Sequence, residues 1–142
     1  MSIINNNKFN FIAITFLLFL DQYSKYIIEM NNDKLSNKDF IFLTIEYLRN
    51  DGAAFNIFSG NRIFLSTISI ISSIVLYYLI IHKGTNVINR YGLSFILAGS
   101  IGNGIDRIIN GSVIDFINIK YFNFPIFNFA DLYINIGVFI LI

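Results

Sequence analysis

Phe9-Asn-Phe-Ile-Ala-Ile-Thr-Phe-Leu-Leu-Phe-Leu20, followed at once by Asp21 and Gln22, decides the fold. Behind Lys8 the run could pass for the core of a secretory leader, but Asp21 and Gln22 stand where small residues would be needed for cleavage. It reads instead as a retained first span reaching Ile28. A crossing helix needs about 20 mostly apolar residues, and three further stretches meet or approach that length: Ile63 to Ile81, Tyr91 to Ile109 and Phe127 to Ile142. The last is the shortest, because Pro125 blocks its extension backwards. The expected fold is an all-α membrane protein of four transmembrane helices, a single domain over residues 1–142, with a small β-containing extracytoplasmic loop.

Composition points the same way. The 142 residues are 55% hydrophobic and 13% charged, with a mean hydropathy of +0.63, whereas soluble domains carry roughly 25% charged residues. A formal net charge of +1 and the lack of any Lys/Arg cluster argue against nucleic acid as a partner. With no cysteine, disulfides, thiolate nucleophiles and Cys-ligated metals are excluded. A single histidine, His82, cannot build a zinc site of the H-E-x-x-H type, so no metal and no cofactor is expected.

Lys8 at the start, and Lys83 with Arg90 between the second and third spans, have no acidic neighbours in their segments. Those ends are expected to face the cytoplasm. The opposite side then receives loops 29–62 and 107–126. In the first of these, Phe40 to Leu48 is rich in β-branched and aromatic residues and runs into the turn signal Asn50-Asp51-Gly52, which predicts a short strand or hairpin lying on the membrane.

Two carboxylates fall on that side in strongly apolar sequence, Asp115 in Gly111-Ser-Val-Ile-Asp-Phe116 and Asp131 in Phe127-Asn-Phe-Ala-Asp131. An ionised carboxylate is costly in such surroundings. Alone, Asp131 reads as an N-terminal helix residue stabilised by the helix dipole. As a pair the two can divide one proton between them, so that the charged member activates a water while the neutral one hydrogen-bonds a carbonyl oxygen.

Other polar groups cluster nearby. Gly99, Asn103 and Asp106 share one helical face, with Arg107 following; these read either as a polar helix end or as part of a site. Ser94, Ala98 and Gly102 form a small-residue packing stripe. Asp21 and Lys25 are spaced for an ion pair with Lys25 snorkelling, or for bracing the outer site. Asn50 to Phe55 reads from its residues as a turn. A serine-histidine protease is excluded, since the near-elbow Ala98-Gly-Ser100-Ile-Gly102 lacks its first glycine and His82 lies at the other face.

Asp21-Gln-x-x-Lys25, Asn50-x-Gly52-Ala-Ala-Phe55, Gly99-x-x-x-Asn103-x-x-Asp106-Arg107-x-x-x-Gly111-x-Val-Ile-Asp115-Phe116 and Phe127-Asn128-x-Ala130-Asp131-x-x-Ile134-x-x-Gly137 together resemble the bacterial lipoprotein signal peptidase family, signal peptidase II. The blocks follow the family's order and cover the chain from the first span to the last. The resemblance implies a four-helix aspartic peptidase of the cytoplasmic (inner) membrane, both termini cytoplasmic and the site near the outer face. Its implied substrate is a diacylglyceryl-modified prolipoprotein, cut before the lipidated cysteine. Asp115 and Asp131 match the catalytic pair. Asn103 and Asn128 match residues lining and orienting the site, and Asp106 with Arg107 match a supporting pair. Asp21, Lys25, Asn50, Gly52, Gly99, Gly111 and Ala130 fall on motif positions with structural or substrate-positioning roles. The family pattern departs at Asn56, where a small residue is usual, at the bulkier Tyr133, and in a cytoplasmic tail that is missing. A monomer in contact with membrane lipid is expected, with the loop from Phe40 to Phe55 cradling substrate and Phe55 and Phe58 touching lipid or signal helix. The reading of a different class is a small proton-coupled carrier or channel, because intramembrane carboxylates also serve proton relays.

Overall fold

The computed structural model describes residues 2–53, 57–82 and 85–142, with side chains from residue 8 onward. Phe55, Asn56 and Lys83, each of which carried an expectation, lie outside the described residues. The elements run α1 (Ser2–Met30), α2 (Asn32–Leu35), β1 (Lys38–Asp39), β2 (Leu43–Asn50), α3 (Arg62–Ile81), α4 (Val87–Asn110), β3 (Val113–Ile119) and α5 (Phe129–Leu141). The chain is thus mostly helical, with one small antiparallel sheet.

No glycine or proline interrupts residues 2–30, and α1 runs unbroken through them. Its two faces are inverted relative to a soluble helix. Phe9, Ile12, Phe16, Phe19, Tyr23, Tyr26 and Met30 recur every three or four residues on the exposed face, while Asn10, Asp21 and Lys25 are buried. Apolar side chains outside and polar ones inside are what a lipid solvent selects. Residues Lys8–Met30 and Arg62–Ile81 are long and apolar enough to cross a bilayer, with mean hydropathies of 1.4 and 2.2. Helices also form at the other two expected spans. However, α4 carries buried Arg90, Ser94, Asn103 and Asp106. At 13 residues, α5 is about 20 Å long.

Helix α4 is the hub, packing against α1, α3 and α5. Ile14 of α1, Ile80 of α3, Leu93, Leu97 and Ala98 of α4 and Tyr133 of α5 form the core between the helices. Of the small-residue stripe, Ser94 and Ala98 are buried and Gly102 lies against the Asp21 carboxylate. A second cluster of Ile28, Ile114 and Phe116, with Phe129 against it, seats the sheet on the ends of α1 and α5.

The sheet order is β1-β2-β3, antiparallel throughout. The expected strand over Phe40 to Leu48 is shifted: pairing begins at Leu43, Phe40 to Phe42 make the connection from β1, and β2 continues to Asn50. Strand β3 lies within residues 107–126, the segment expected as a loop. Val113, Ile114, Asp115 and Phe116 are all buried, so the strand lacks the polar/apolar alternation that would have marked it. The fourth helix starts at Phe129 and not Phe127, because Phe127 pairs with Ile117 in a β-bridge and Asn128 caps the helix.

Candidate active site

The start of α5 places the first aspartate. Asn128 is the N-cap: its side-chain oxygen accepts the Asp131 backbone N–H at 3.0 Å, and the Asp131 carboxylate accepts the Asn128 backbone N–H at 3.2 Å. This reciprocal capping box satisfies two donors that a helix start leaves over. The cap also orients Asn128's amide, since its oxygen is taken and its Nδ2 must point elsewhere. That nitrogen donates to Asp115 Oδ1 at 2.6 Å and to Asn103 Oδ1 at 3.2 Å.

The sheet places the second aspartate. Ile45 pairs with Ile117 and Leu48 with Asp115, so β2 spends one residue more than β3 over this interval, a β-bulge. Beyond it Asn50 sits opposite Val113, diagonally next to Asp115 on the same face. Its Nδ2 donates to Asp115 Oδ2 at 2.9 Å while its Oδ1 accepts the Gly52 N–H at 2.9 Å. Asp115 is thereby 2% exposed with both oxygens hydrogen-bonded. Burial pushes its carboxyl up to about 6; the charge of Asp131 adds to the rise, and the Asn50 and Asn128 amides and Lys25 oppose it.

Beneath the pair, α1 and α4 interlock. Lys25 Nζ meets Asp21 Oδ2 at 2.9 Å, Asp106 Oδ2 at 2.8 Å and Asn103 Oδ1 at 3.0 Å. Lys25 is buried, so the snorkelling geometry is not adopted and the bracing one is. Asp21 also accepts the Ala130 backbone N–H at 2.9 Å, tying α1 to the first turn of α5. Asn103 Nδ2 donates to Asp131 Oδ1 at 2.8 Å. Arg107 reaches the Gly52 carbonyl at 2.9 Å and lies within electrostatic range of Asp131, Asp115 and Asp106. At Gly99 a Cβ would strike the Ala130 carbonyl, so only glycine lets α5 approach α4 so closely here. Gly111 does not reach the aspartates: at φ 79° it ends α4 in the left-handed conformation and starts the turn into β3.

Two contributors were missed. Gln22 donates to Asp21, to the Gly102 carbonyl and to Asp106 at 3.1, 3.2 and 3.1 Å; it stands in the Asp21-Gln-x-x-Lys25 pattern, but that pattern gave it no role. Arg62 at the start of α3 donates to the carbonyls of Arg107, at 2.8 Å, and of Ile108, closing the end of α4. Phe58, expected on substrate or lipid, is exposed and packs on Phe64 with ring centroids 4.9 Å apart. A groove of about 940 Å³ runs over the sheet between Leu48–Asp51 and residues 118–126, with its lining residue Asn50 also bonding the Asp115 carboxylate. Among the described residues no three His, Cys, Asp or Glu side chains converge as a metal cage.

Two carboxylates joined through one asparagine, one of them buried and raised toward neutrality, have the chemistry of the aspartic hydrolases, here in a helical membrane protein. The profile of signal peptidase (SPase) II matches residues 13–142. A lipoprotein signal peptidase of Enterococcus faecalis is 44% identical over 131 residues, covering 90% of this chain and 81% of the relative, and one of Gloeothece citriformis is 36% identical over 140 residues, covering 96% and 88%. A solved bacterial membrane enzyme superposes with a TM-score of 0.86 at 36% identity, covering 94% of this chain and 85% of that one. The chain belongs to the signal peptidase II family, whose members are aspartic-type peptidases.

Proposed function

We propose that the chain removes signal peptides from prolipoproteins by cutting before a diacylglyceryl-modified cysteine, with Asp115 and Asp131 as its catalytic pair. The observation that carries this reading is Asn128, which bonds both aspartates from one helix cap. The ionised carboxylate takes a proton from water as the water oxygen bonds the scissile carbonyl carbon, and the neutral carboxyl gives its proton to the carbonyl oxygen. As the tetrahedral adduct collapses, the C–N bond breaks. The first carboxyl then protonates the leaving amine of the lipid-bearing cysteine, the second recovers its proton from the adduct, and both regain their starting states.

All four long helices cross the membrane in this reading, in a single domain with both ends cytoplasmic and the aspartates near the outer face. Inverted α1 and the apolar exposed surface of α3 support it, as does the likeness to a solved membrane enzyme. A site at that depth meets a peptide bond beside a lipid-bearing cysteine while the acyl chains stay in the bilayer. The protein acts as a monomer, with the groove over the sheet receiving the chain beyond the cut. Incubating purified protein with a lipid-modified prolipoprotein and with its unmodified form tests the activity. Cleavage of the modified form alone is expected; cleavage of neither, or of both equally, overturns the assignment.

A further inference from the structure

Lys25 lies beneath the aspartates, yet its geometry determines how one of them is held. An ammonium group has three N–H donors and no acceptor. Lys25 donates to Asp21 and to the side-chain oxygen of Asn103 at 2.9 and 3.0 Å, and its charge pairs with the Asp106 carboxylate at 2.8 Å. Asn103 therefore has one admissible amide orientation, because turning it over would set an NH2 group against the ammonium and against the Nδ2 of Asn128. With its oxygen held from below, its N–H points at Asp131 Oδ1, 2.8 Å away. The other Asp131 oxygen faces the Asn128 backbone N–H at 3.2 Å, and the cap fixes that donor too. Both oxygens of Asp131 thus meet groups that can only donate, and one of the two donors takes its direction from Lys25.

Asp115 from β3 and Arg107 from α4 lie within electrostatic range of Asp131, while Lys25 and Asp21 of α1 and Asp106 of α4 are grouped behind the Asn103 that bonds it. Asp115 differs from Asp131 in setting. It is 2% exposed in a strand, whereas Asp131 is half-buried in the first turn of α5, where the helix dipole favours an anion. We infer that Lys25 is a positioning residue that, by locking the Asn103 amide, fixes the donor that holds the Asp131 carboxylate in place beside Asp115. This inference rests on the two aspartates being the catalytic pair.

The test is a double-mutant cycle of Lys25→Met, Asn103→Ala and the two combined, with kcat and KM for a lipid-modified prolipoprotein measured across pH. Each single change should lower kcat by roughly 10- to 100-fold at nearly constant KM. The double variant should lose no more than the worse single one, since both changes remove the same N–H from Asp131. Losses that multiply, or that fall on KM as much as on kcat, would leave Lys25 a structural cation only and overturn the inference. Lys25→Met strands two buried carboxylates, so Asn103→Asp supplies a test independent of its folding. It keeps an oxygen for Lys25 and Asn128 but has no N–H for Asp131, and an unchanged kcat there also overturns the inference. Wild-type protein that fails to cleave, or activity retained in Asp131→Asn, would instead overturn the catalytic assignment itself.

Discussion

The two flanks of α4 are held by different chemistry. Toward α1 and α5 the contacts are charged and buried: Lys25 between Asp21 and Asp106, Asn103 on Asp131, and Gly99 against the Ala130 carbonyl. Toward α3, apart from the Arg62 guanidinium on the last carbonyls of α4, the polar contacts are hydroxyl groups. Ser72 Oγ lies 2.9 Å from Ser100 Oγ, and Ser69 and Ser73 complete the cluster. The outer surface of α3 carries Ile68, Ile71, Ile74, Val75 and Tyr78 in the open. Neutral hydroxyls tolerate small shifts and partner exchange, whereas a buried cation between two carboxylates does not. One helix thus has a side built for fixed geometry and a side that needs only adhesion.

Substitutions should expose that asymmetry. The largest effect belongs to the aspartates: Asp115→Asn or Asp131→Asn should lower cleavage by roughly 10²–10⁴-fold while the protein still inserts and folds, as read by cleavage assay and by thermal unfolding in detergent. Next comes Gly99→Leu, whose side chain pushes α5 and with it Asp131. An ångström of misplacement lowers turnover by about 10²-fold, and the forced contact should destabilise the protein by about 1–3 kcal/mol. The pH dependence of stability is the third. The folded-state value of Asp115, about 6, lies above the unfolded one near 3.9, so the native state holds its proton longer. Stability should fall as pH rises from about 4 to 6 and level off above, by up to about 3 kcal/mol from this group. In Asp115→Asn that slope should flatten, which unfolding midpoints between pH 4 and 8 would show. On the other flank Ser100→Ala should cost about 0.6 kcal/mol and leave kcat unchanged. A tenfold loss of activity in Ser100→Ala would erase the contrast between the two flanks.

Much of the fixed side could be read from residue types and spacings. Asp21 and Lys25, four apart, and Gly99, Asn103 and Asp106 on one face announced themselves because helix periodicity is local. Asp131 was legible as a residue of a helix start, but the cap by Asn128 was not, because the last span was expected to begin at Phe127. The links made across the sheet stayed hidden. Asp115 was recognised as anomalous, but nothing local told that it lies in a strand, because residues 113–116 are buried on both faces and mimic an ordinary apolar run. Asn50 was read from its residues as a turn. Its approach to Asp115 depends on a bulge between Ile45 and Leu48 and on pairing with residues more than 60 positions away, a register no single-chain pattern encodes. Burial of Lys25 was equally illegible, since an i,i+4 pair reads the same whether it snorkels to the surface or closes under a third helix.

The capping box at the head of α5 carries one more consequence. Asn128 and Asp131 both start a helix and aim a reacting group, so the punctuation of the fold and its chemistry are written in the same four letters. Such a segment has little freedom to drift in length. One residue inserted between them would swing the carboxylate about 100° around the helix axis and remove the cap in the same stroke, so the three-residue interval is a dimension of the site in its own right.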